Sequence, residues 1–320
     1  MEDQRPQLPS PVIPDYSAAA QPTFIERYGI SLLLFTFVSL LLIFFLYQII
    51  GGVITLLIYG MKLTDENLSG YRIATGIGQL IFILIPTLFL VRLVTHKPAE
   101  YLRFQAPSIL AILTGFVGIF SLQQVLQIYL VFQEKIPLPS ELQSMMQKFK
   151  DMFDEMYRQL VGAHTSGEFI FVLVVVAFIP AITEELMFRG LIQRNLERAL
   201  TPVSGMIITG IIFAGYHLNP FSFIPLVIIG IYLGFLAMRS RSIWVSIAAH
   251  FFNNALAVAS LFINVEDDYV VFGNSSKMSL TSLLGTFWFF GLIFILTTLY
   301  FIKITKPAQK SSTDEQQISM

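Results

Sequence analysis

Cysteine is absent from the 320 residues of this chain. Disulfide bonds and thiolate metal sites are therefore excluded, and cysteine usage gives no indication of the redox compartment. Charged residues are also scarce, at 13% of the chain against about 25% in an average soluble domain. The formal net charge is −1, so the chain lacks the basic excess that is typical of a nucleic-acid-binding protein.

Hydrophobic residues make up 55% of the chain, and they recur in long uninterrupted runs. A soluble domain of this size would aggregate with so much apolar surface. We therefore interpret the runs as transmembrane helices, and the predicted fold is an all-α polytopic membrane protein, a bundle of about eight helices. The predicted spans are 29–59, 72–95, 108–132, 168–193, 203–219, 221–239, 242–263 and 280–303.

Two polar tails flank the predicted bundle of residues 29–303. Residues 1–28 are polar and rich in proline and are predicted to be disordered, and residues 304–320 form a second polar tail. With eight spans, twelve Lys and Arg residues fall on the side of both termini and seven on the other side. This bias predicts that both termini are cytoplasmic, in the plasma or inner membrane if the source is bacterial.

The longest predicted loop, 133–167, carries a helical pattern of its own. Ser140 and Gln143 have the spacing of a capping box. Apolar residues then recur at helical spacing as far as Leu160, while the opposite face is charged. The pattern predicts an amphipathic helix on the membrane surface, either packed over the bundle or with a role in substrate entry.

Three ionisable side chains interrupt a predicted span, in the stretch FIPAITEELMFRGLIQ of residues 178–193. A charge at a helix centre costs about 2.5–3.5 kcal/mol on insertion, so such side chains face the bundle interior and have partners. Glu185 and Arg189 are four positions apart and share a helix face, which predicts an ion pair. Glu184 lies on a different face and remains free for chemistry.

Pro180 precedes these charges by one turn. It has no N–H to donate to the carbonyl of Val176, which predicts a kink there. The predicted boundaries place Glu184 and His250 roughly 12–14 Å deep and His217 several ångström deeper, a mismatch for one site.

Two later spans each contribute a histidine. His217 occurs in FAGYHLNP, and His250 lies four residues before Asn254 in HFFNNALAVA, so these two share a face. Taken singly, each histidine is more typical of a hydrogen-bonded residue between helices. Taken with Glu184, they place a carboxylate, two imidazoles and a carboxamide on three neighbouring spans. A water held by Glu184 and His217 could attack a carbonyl while His250 and Asn254 donate to the oxyanion.

These residues also match three motifs in the order of a known family: EELMFR fits EExxxR, FAGYH fits FxxxH, and HFFNN fits HxxxN. Over about residues 168–260 the chain resembles the CPBP family of intramembrane proteases, which includes type II CAAX prenyl endopeptidases and bacteriocin-processing or self-immunity proteins. The resemblance implies an eight-helix bundle with a cavity that opens towards the membrane and the cytosol. The catalytic positions that it implies are Glu184, His217, His250 and Asn254, and the supporting positions are Glu185 and Arg189.

Metal use stays open at this point. Glu184, His217 and His250 have the composition of some catalytic zinc sites, and the family has been described both as metalloproteases and as glutamate-dependent proteases. We favour the metal-free mechanism, because the sequence has no HExxH motif and each ligand would come from a different helix.

The predicted function is an intramembrane endopeptidase that cleaves a peptide bond near the membrane surface, as in CAAX-type C-terminal processing. Its expected partners are the lipid bilayer and a protein or peptide substrate, which for CAAX processing is lipidated. A non-catalytic peptide-binding or bacteriocin-immunity protein of the same fold is the alternative. A proton-coupled transporter is a third class, since intramembrane ionisable residues also mark ion paths, but the sequence shows no internal repeat.

Overall fold

The computed structural model describes residues 21–137, 139–263, 269–270, 273–274 and 278–305, and it consists almost entirely of helices. The helices are α1 (Phe24–Arg27), α2 (Leu32–Tyr59), α3 (Asp65–Val94), α4 (Pro98–Tyr101), α5 (Ile109–Glu134), α6 (Ser140–Val161), α7 (Ser166–Ala199), α8 (Pro202–Tyr216), α9 (Phe223–Ser240), α10 (Ile243–Phe262) and α11 (Leu280–Ile304). Strands β1 (Tyr269–Val270) and β2 (Gly273–Asn274) form a short antiparallel pair.

Seven of these helices are long and apolar enough to cross a membrane: α2, α3, α5, α7, α9, α10 and α11. The prediction of an all-α polytopic bundle is thereby confirmed. The predicted fifth span, 203–219, is shorter than expected, because α8 has 15 residues and ends at Tyr216. Pro220, between the predicted spans 203–219 and 221–239, lies in the turn before Phe223, where the Asn219 side chain accepts backbone hydrogen bonds from Phe221 and Ser222.

Parts of both predicted tails, residues 1–20 and 306–320, lie outside the described residues. The final residues of the predicted N-terminal tail are not an irregular segment, because α1 forms there. Thr23 and Glu26 make a capping box, in which each side chain binds the backbone at the position of the other.

Contacts at one end of the bundle join several helix ends. Arg103, after α4, forms an ion pair with Glu197 of α7, and its carbonyl accepts from the N–H of Ile243 at the start of α10. Arg239 of α9 donates to the carbonyl of Ile302 in α11. The described ends of the chain lie at this same end, which we call the terminal end. Its assignment to the cytoplasm stays a prediction.

The predicted amphipathic helix is confirmed as α6, at the opposite end of the bundle. The predicted capping box is wrong, because Ser140 is the first helical residue and Pro139 occupies the N-cap position, where it makes no side-chain capping hydrogen bond. Apolar side chains that remain exposed run along α6: Leu142, Met145, Met146, Phe149, Met152 and Met156. Lys150, on the charged side, pairs with Glu134 of α5 at 3.0 Å and with Asp154 at 2.9 Å. Burial alone would lower the pKa of Lys150, but these hydrogen bonds outweigh it and raise the pKa.

The C-terminal end of α6 is held by a buried arginine of α3. Arg72 donates to the carbonyls of Gln159, Leu160 and Gly162 at 2.6–2.9 Å, and to Glu168 at the start of α7 at 2.6 Å. The last carbonyls of a helix have no partners within the helix, and they favour a cation. Arg72 therefore fixes α6 to the bundle.

Within the described residues, four helical stretches widen into π-helical turns: Phe45–Gly51 in α2, Leu80–Leu84 in α3, and Leu173–Phe178 and Leu186–Ile192 in α7. The first turn in α7 ends two residues before Pro180. Proline cannot make the usual i to i−4 hydrogen bond, and a widened turn accommodates that break. Where the sequence predicted a kink at Pro180, the structure therefore has a π-helical turn just before this residue.

Candidate active site

The depth mismatch that the sequence predicted between Glu184 and His217 disappears in the structure. Helix α7 continues to Ala199, six residues beyond the predicted end at 193. Glu184 is consequently 15 positions before the end of α7, and His217 is 15 positions after Pro202, the start of α8. Both side chains lie about 22 Å along their helices from the terminal end, at 1.5 Å per residue.

The second carboxylate of the EExxxR motif is the centre of a buried network. Glu185 is fully buried, and its Oε1 accepts from Arg189 at 2.8 Å and from His250 Nδ1 at 2.9 Å. The Ser246 hydroxyl donates to the other oxygen, Oε2. The predicted pair between Glu185 and Arg189 is confirmed. The contacts with His250 and Ser246 were not predicted, although Ser246, His250 and Asn254 recur every four positions and so share one face of α10.

Arg189 links this network to α9. Its Nη2 atom donates to the carbonyl of Gly230 at 2.9 Å, and its guanidinium carbon is 4.6 Å from the centre of the Phe213 ring. Gly230 crosses Gly210 of α8 so closely that a Cβ on Gly230 would be 2.9 Å from the Gly210 Cα. This crossing presents the Gly230 carbonyl to Arg189, because any side chain there would push the helices apart.

Phe213, the first residue of the FxxxH motif, brings the two histidines together. Its buried ring centre is 4.6 Å from that of His217 and 5.9 Å from that of His250. Phe188 contacts it edge to face at 5.2 Å. This position of Phe213 was not predicted, since a phenylalanine in an apolar run is indistinguishable from an ordinary core residue.

Both histidines are oriented through Nδ1. The Nδ1 atom of His217 is 2.7 Å from the carbonyl oxygen of Phe213, and that of His250 is 2.9 Å from Glu185 Oε1. A carbonyl or carboxylate oxygen only accepts, so Nδ1 carries the hydrogen in both rings. The Nε2 atom of each neutral ring is then a free base. His217 is exposed, whereas His250 is buried.

Asn254 lies one turn beyond His250 and contacts α7. Its Nδ2 donates to the carbonyl of Val176 at 3.4 Å, and its Oδ1 accepts from Asn253 at 3.2 Å. Val176 is the residue whose carbonyl Pro180 cannot satisfy by an i to i−4 bond. Asn254 thus donates to the carbonyl that receives no hydrogen bond from Pro180. The second hydrogen of the Asn254 amide remains for another acceptor.

Glu184 is half-buried, and its Oε2 atom is buried without a hydrogen-bond donor among the described residues. Its charge interacts electrostatically with Arg189. Buried carboxylate oxygens are generally hydrogen-bonded. Glu184 therefore has a carboxylate oxygen without a hydrogen-bond donor among the described residues, and its availability to a water or a substrate stays a prediction.

The candidate zinc ligands are not gathered into a metal site. Within the described ranges, no group of three His, Asp or Glu side chains is placed to hold a metal ion. A catalytic zinc needs three protein ligands at about 2 Å, so the residues as arranged do not fit this group.

Helices α2 and α3 support the site, although no motif pointed to them. Gln48 of α2 donates to the carbonyl of Tyr216 at 2.9 Å, directly before His217. Thr183, directly before Glu184, donates to Gln79 of α3 at 3.0 Å. The isolated glutamines inside these apolar runs could have indicated such contacts, since polar groups in a membrane span require partners.

Comparison with known proteins gives one family match. The family model described as "Type II CAAX prenyl endopeptidase Rce1-like" matches residues 166–256, less than a third of the chain. No curated protein and no solved structure matches the chain. The matched segment contains all of α7, α8 and α9 and most of α10, and with them every residue of the three motifs. The match of residues 166–256 to an Rce1-like domain therefore supports the CPBP family of intramembrane proteases, the family that the motifs predicted.

Proposed function

We propose that this protein is an intramembrane endopeptidase in which Glu184 and His217 activate a water molecule. One observation carries the proposal: the EE pair is divided between two tasks. Glu185 is saturated by Arg189, His250 and Ser246, whereas Glu184 keeps a buried oxygen without a donor among the described residues. A protein that used these charges only to hold helices together would have no need of the second carboxylate.

In the first step, Glu184 accepts a proton from the water while the water oxygen forms a bond to the substrate carbonyl carbon. The free Nε2 of His217 accepts a hydrogen bond from the other O–H of the water. This bond orients the lone pair of the water oxygen towards the carbonyl carbon. Phe213 supports this geometry, since its carbonyl holds the His217 ring and its own ring contacts the imidazole.

In the second step, the carbonyl oxygen becomes an oxyanion that His250 and Asn254 stabilise. Asn254 has one amide hydrogen to donate. His250 donates through Nε2 when it is an imidazolium, and the Glu185 carboxylate on its Nδ1 stabilises that charge. The intermediate then collapses, the carbon–nitrogen bond breaks, and Glu184 returns its proton to the leaving amine.

The substrate class that we propose is a peptide or protein with a prenylated CAAX-type C-terminus. The description of the matched family names this class. A substrate anchored by a lipid reaches Glu184 from within the bilayer, which suits a carboxylate about 22 Å along its helix. The peptide bond to be cleaved follows the lipidated residue and enters beside His217, the exposed member of the site.

The test is cleavage of a farnesylated CAAX peptide by the purified protein in lipid nanodiscs. Wild type should release the C-terminal tripeptide, and Glu184→Gln should not, although it inserts and unfolds as wild type does. Glu141→Gln, which removes an exposed carboxylate of α6, is the matched control and should retain full activity. A Glu184→Gln protein as active as the control would eliminate the mechanism.

A second measurement covers other substrates. Membranes that contain wild type or Glu184→Gln are compared for newly created protein C-termini. New C-termini that require Glu184 would establish the peptidase even if the farnesylated peptide is not cleaved. Identical sets of C-termini would instead favour the non-catalytic peptide-binding alternative.

A further inference from the structure

Helix α2 lies outside the matched segment 166–256, yet its π-helical turn Phe45–Gly51 presents two consecutive polar residues to the catalytic helices. These are Tyr47 and Gln48. Polar side chains inside a membrane span are costly and usually serve a site. π-Helical turns also occur frequently at functional sites, because the widened turn re-aims side chains.

Gln48 is directed at the end of α8. Its Nε2 donates to the carbonyl of Tyr216 at 2.9 Å, one of the helix-end carbonyls that lack a partner within the helix. The hydroxyl of Tyr216 in turn donates to the carbonyl of Leu40 in α2. Helix α2 therefore binds both the backbone carbonyl and the side-chain hydroxyl of Tyr216, the residue before His217. These two contacts fix the position at which α8 ends.

Tyr47 is directed at the other catalytic helix by a relay through α3. Thr183 donates to Gln79 Oε1 at 3.0 Å, so the amide hydrogens of Gln79 remain for other acceptors. The Gln79 side chain also interacts with the Tyr47 hydroxyl. A tyrosine hydroxyl can accept one hydrogen bond and still donate its own hydrogen elsewhere.

The carboxylate of Glu184 is the charged group that interacts electrostatically with this hydroxyl. The Tyr47 ring packs on α3 at Gly78, where a Cβ would be 3.6 Å from the ring edge, so its position is fixed from that side. The buried Oε2 of Glu184 has no donor among the described residues. A hydroxyl that can donate and a carboxylate oxygen without a donor among the described residues thus lie within electrostatic range of each other.

We propose that α2 completes the site: Tyr47 donates a hydrogen bond to the water held by Glu184, and Gln48 positions His217. This inference rests on the proposed function, which it deepens by two residues outside the matched domain. Tyr47 is a catalytic residue in this scheme, because it contacts the reacting water, and Gln48 is a positioning residue.

The kinetic test uses the farnesylated CAAX peptide in nanodiscs. Tyr47→Phe removes one hydroxyl and should lower kcat about tenfold, the effect of about one lost hydrogen bond, with KM unchanged. Tyr59→Phe, further along the same helix, is the matched control and should retain the wild-type kcat. Gln48→Met should also lower kcat without changing KM or the unfolding temperature. Equal kcat values for Tyr47→Phe and Tyr59→Phe would overturn the role of Tyr47.

Two spectroscopic readouts test the inference independently of cleavage. Infrared spectra of protein labelled with ¹³C-glutamate contain a Glu184 band, identified by its loss in Glu184→Gln. That band should move in Tyr47→Phe and stay in place in Tyr59→Phe. The ¹⁵N resonances of the His217 ring, identified by His217→Gln, should move in Gln48→Met. Unmoved signals would overturn the inference whether or not the peptide is cleaved, whereas moved signals without cleavage would support it and count against the proposed substrate.

Discussion

The Nδ1 atom of His250 lies 2.9 Å from Oε1 of Glu185, and this contact joins α10 to α7 inside the bundle. The same carboxylate oxygen is 2.8 Å from Arg189. One buried carboxylate therefore serves as the counter-charge of an arginine and as the orienting acceptor of a histidine. Adjacent glutamates of a single motif consequently have different consequences when they are changed.

Glu185→Ala should destabilise the protein by about 3–5 kcal/mol, because it leaves the Arg189 charge buried without its partner. Glu184→Ala should keep a stability near that of wild type while activity is lost. Denaturant unfolding in detergent micelles measures both variants. Similar stabilities for the two would show that the network around Glu185 contributes little to folding.

Phe213→Ala should lower the free energy of unfolding by about 3–5 kcal/mol and also abolish cleavage, because the ring fills the space between the two histidines. Phe289→Ala, on the exposed face of α11, is the matched control and should change the unfolding free energy by much less. Activity and unfolding are measured on the same preparations. A stable and active Phe213→Ala protein would contradict the role of this ring.

Pro180→Ala restores a backbone N–H opposite the Val176 carbonyl. The new N–H should compete with Asn254 for that carbonyl, so kcat should fall about tenfold by loss of one oriented hydrogen bond, while the unfolding temperature is maintained or raised. Asn254→Ala should lower kcat further, by about 10²–10³-fold, as expected of an oxyanion donor. If Pro180→Ala leaves kcat unchanged, the Val176 contact does not position Asn254.

Arg72→Met should release the C-terminal end of α6, because three helix-end carbonyls lose their donor. Hydrogen exchange in residues 156–162 should become faster, since those amides then open locally. Arg92→Met, at an exposed position of α3, should leave exchange in α6 unchanged. Equal exchange in both variants would show that α6 is held by other contacts.

Cleavage should persist after dialysis against EDTA or 1,10-phenanthroline, because the described residues form no cluster of metal ligands. Added zinc should not increase the activity of the dialysed protein. Loss of activity in chelator that zinc restores would contradict the metal-free mechanism.

The features that sequence predicts well here are local ones. The pairing of Glu185 with Arg189 follows from their spacing of four on one helix, and the helical spans follow from hydropathy. The amphipathic pattern likewise predicted α6. Each of these depends on neighbours within one element, and one sequence contains that information.

Boundaries and long-range contacts were less accessible. Helix α7 runs past the predicted end because the polar side chains of its last turns have partners inside the protein. Arg103 donates to Glu197, and Gln193 donates to a backbone carbonyl of α9. The capping box predicted at Ser140 is wrong because Pro139 occupies the N-cap position and Ser140 already lies within the helix. The bond between His250 and Glu185 joins residues 65 positions apart, and no local periodicity reports on it.

The hydrogen bond from Gln48 to the backbone beside His217 has a consequence for protein engineering. We expect the segment that carries all three motifs to be inactive in another scaffold, because it would lack the helix that we propose positions its side chains. By the same proposal, the minimal catalytic unit begins with α2, and chimaeras divided at residue 166 should insert into membranes but remain inert.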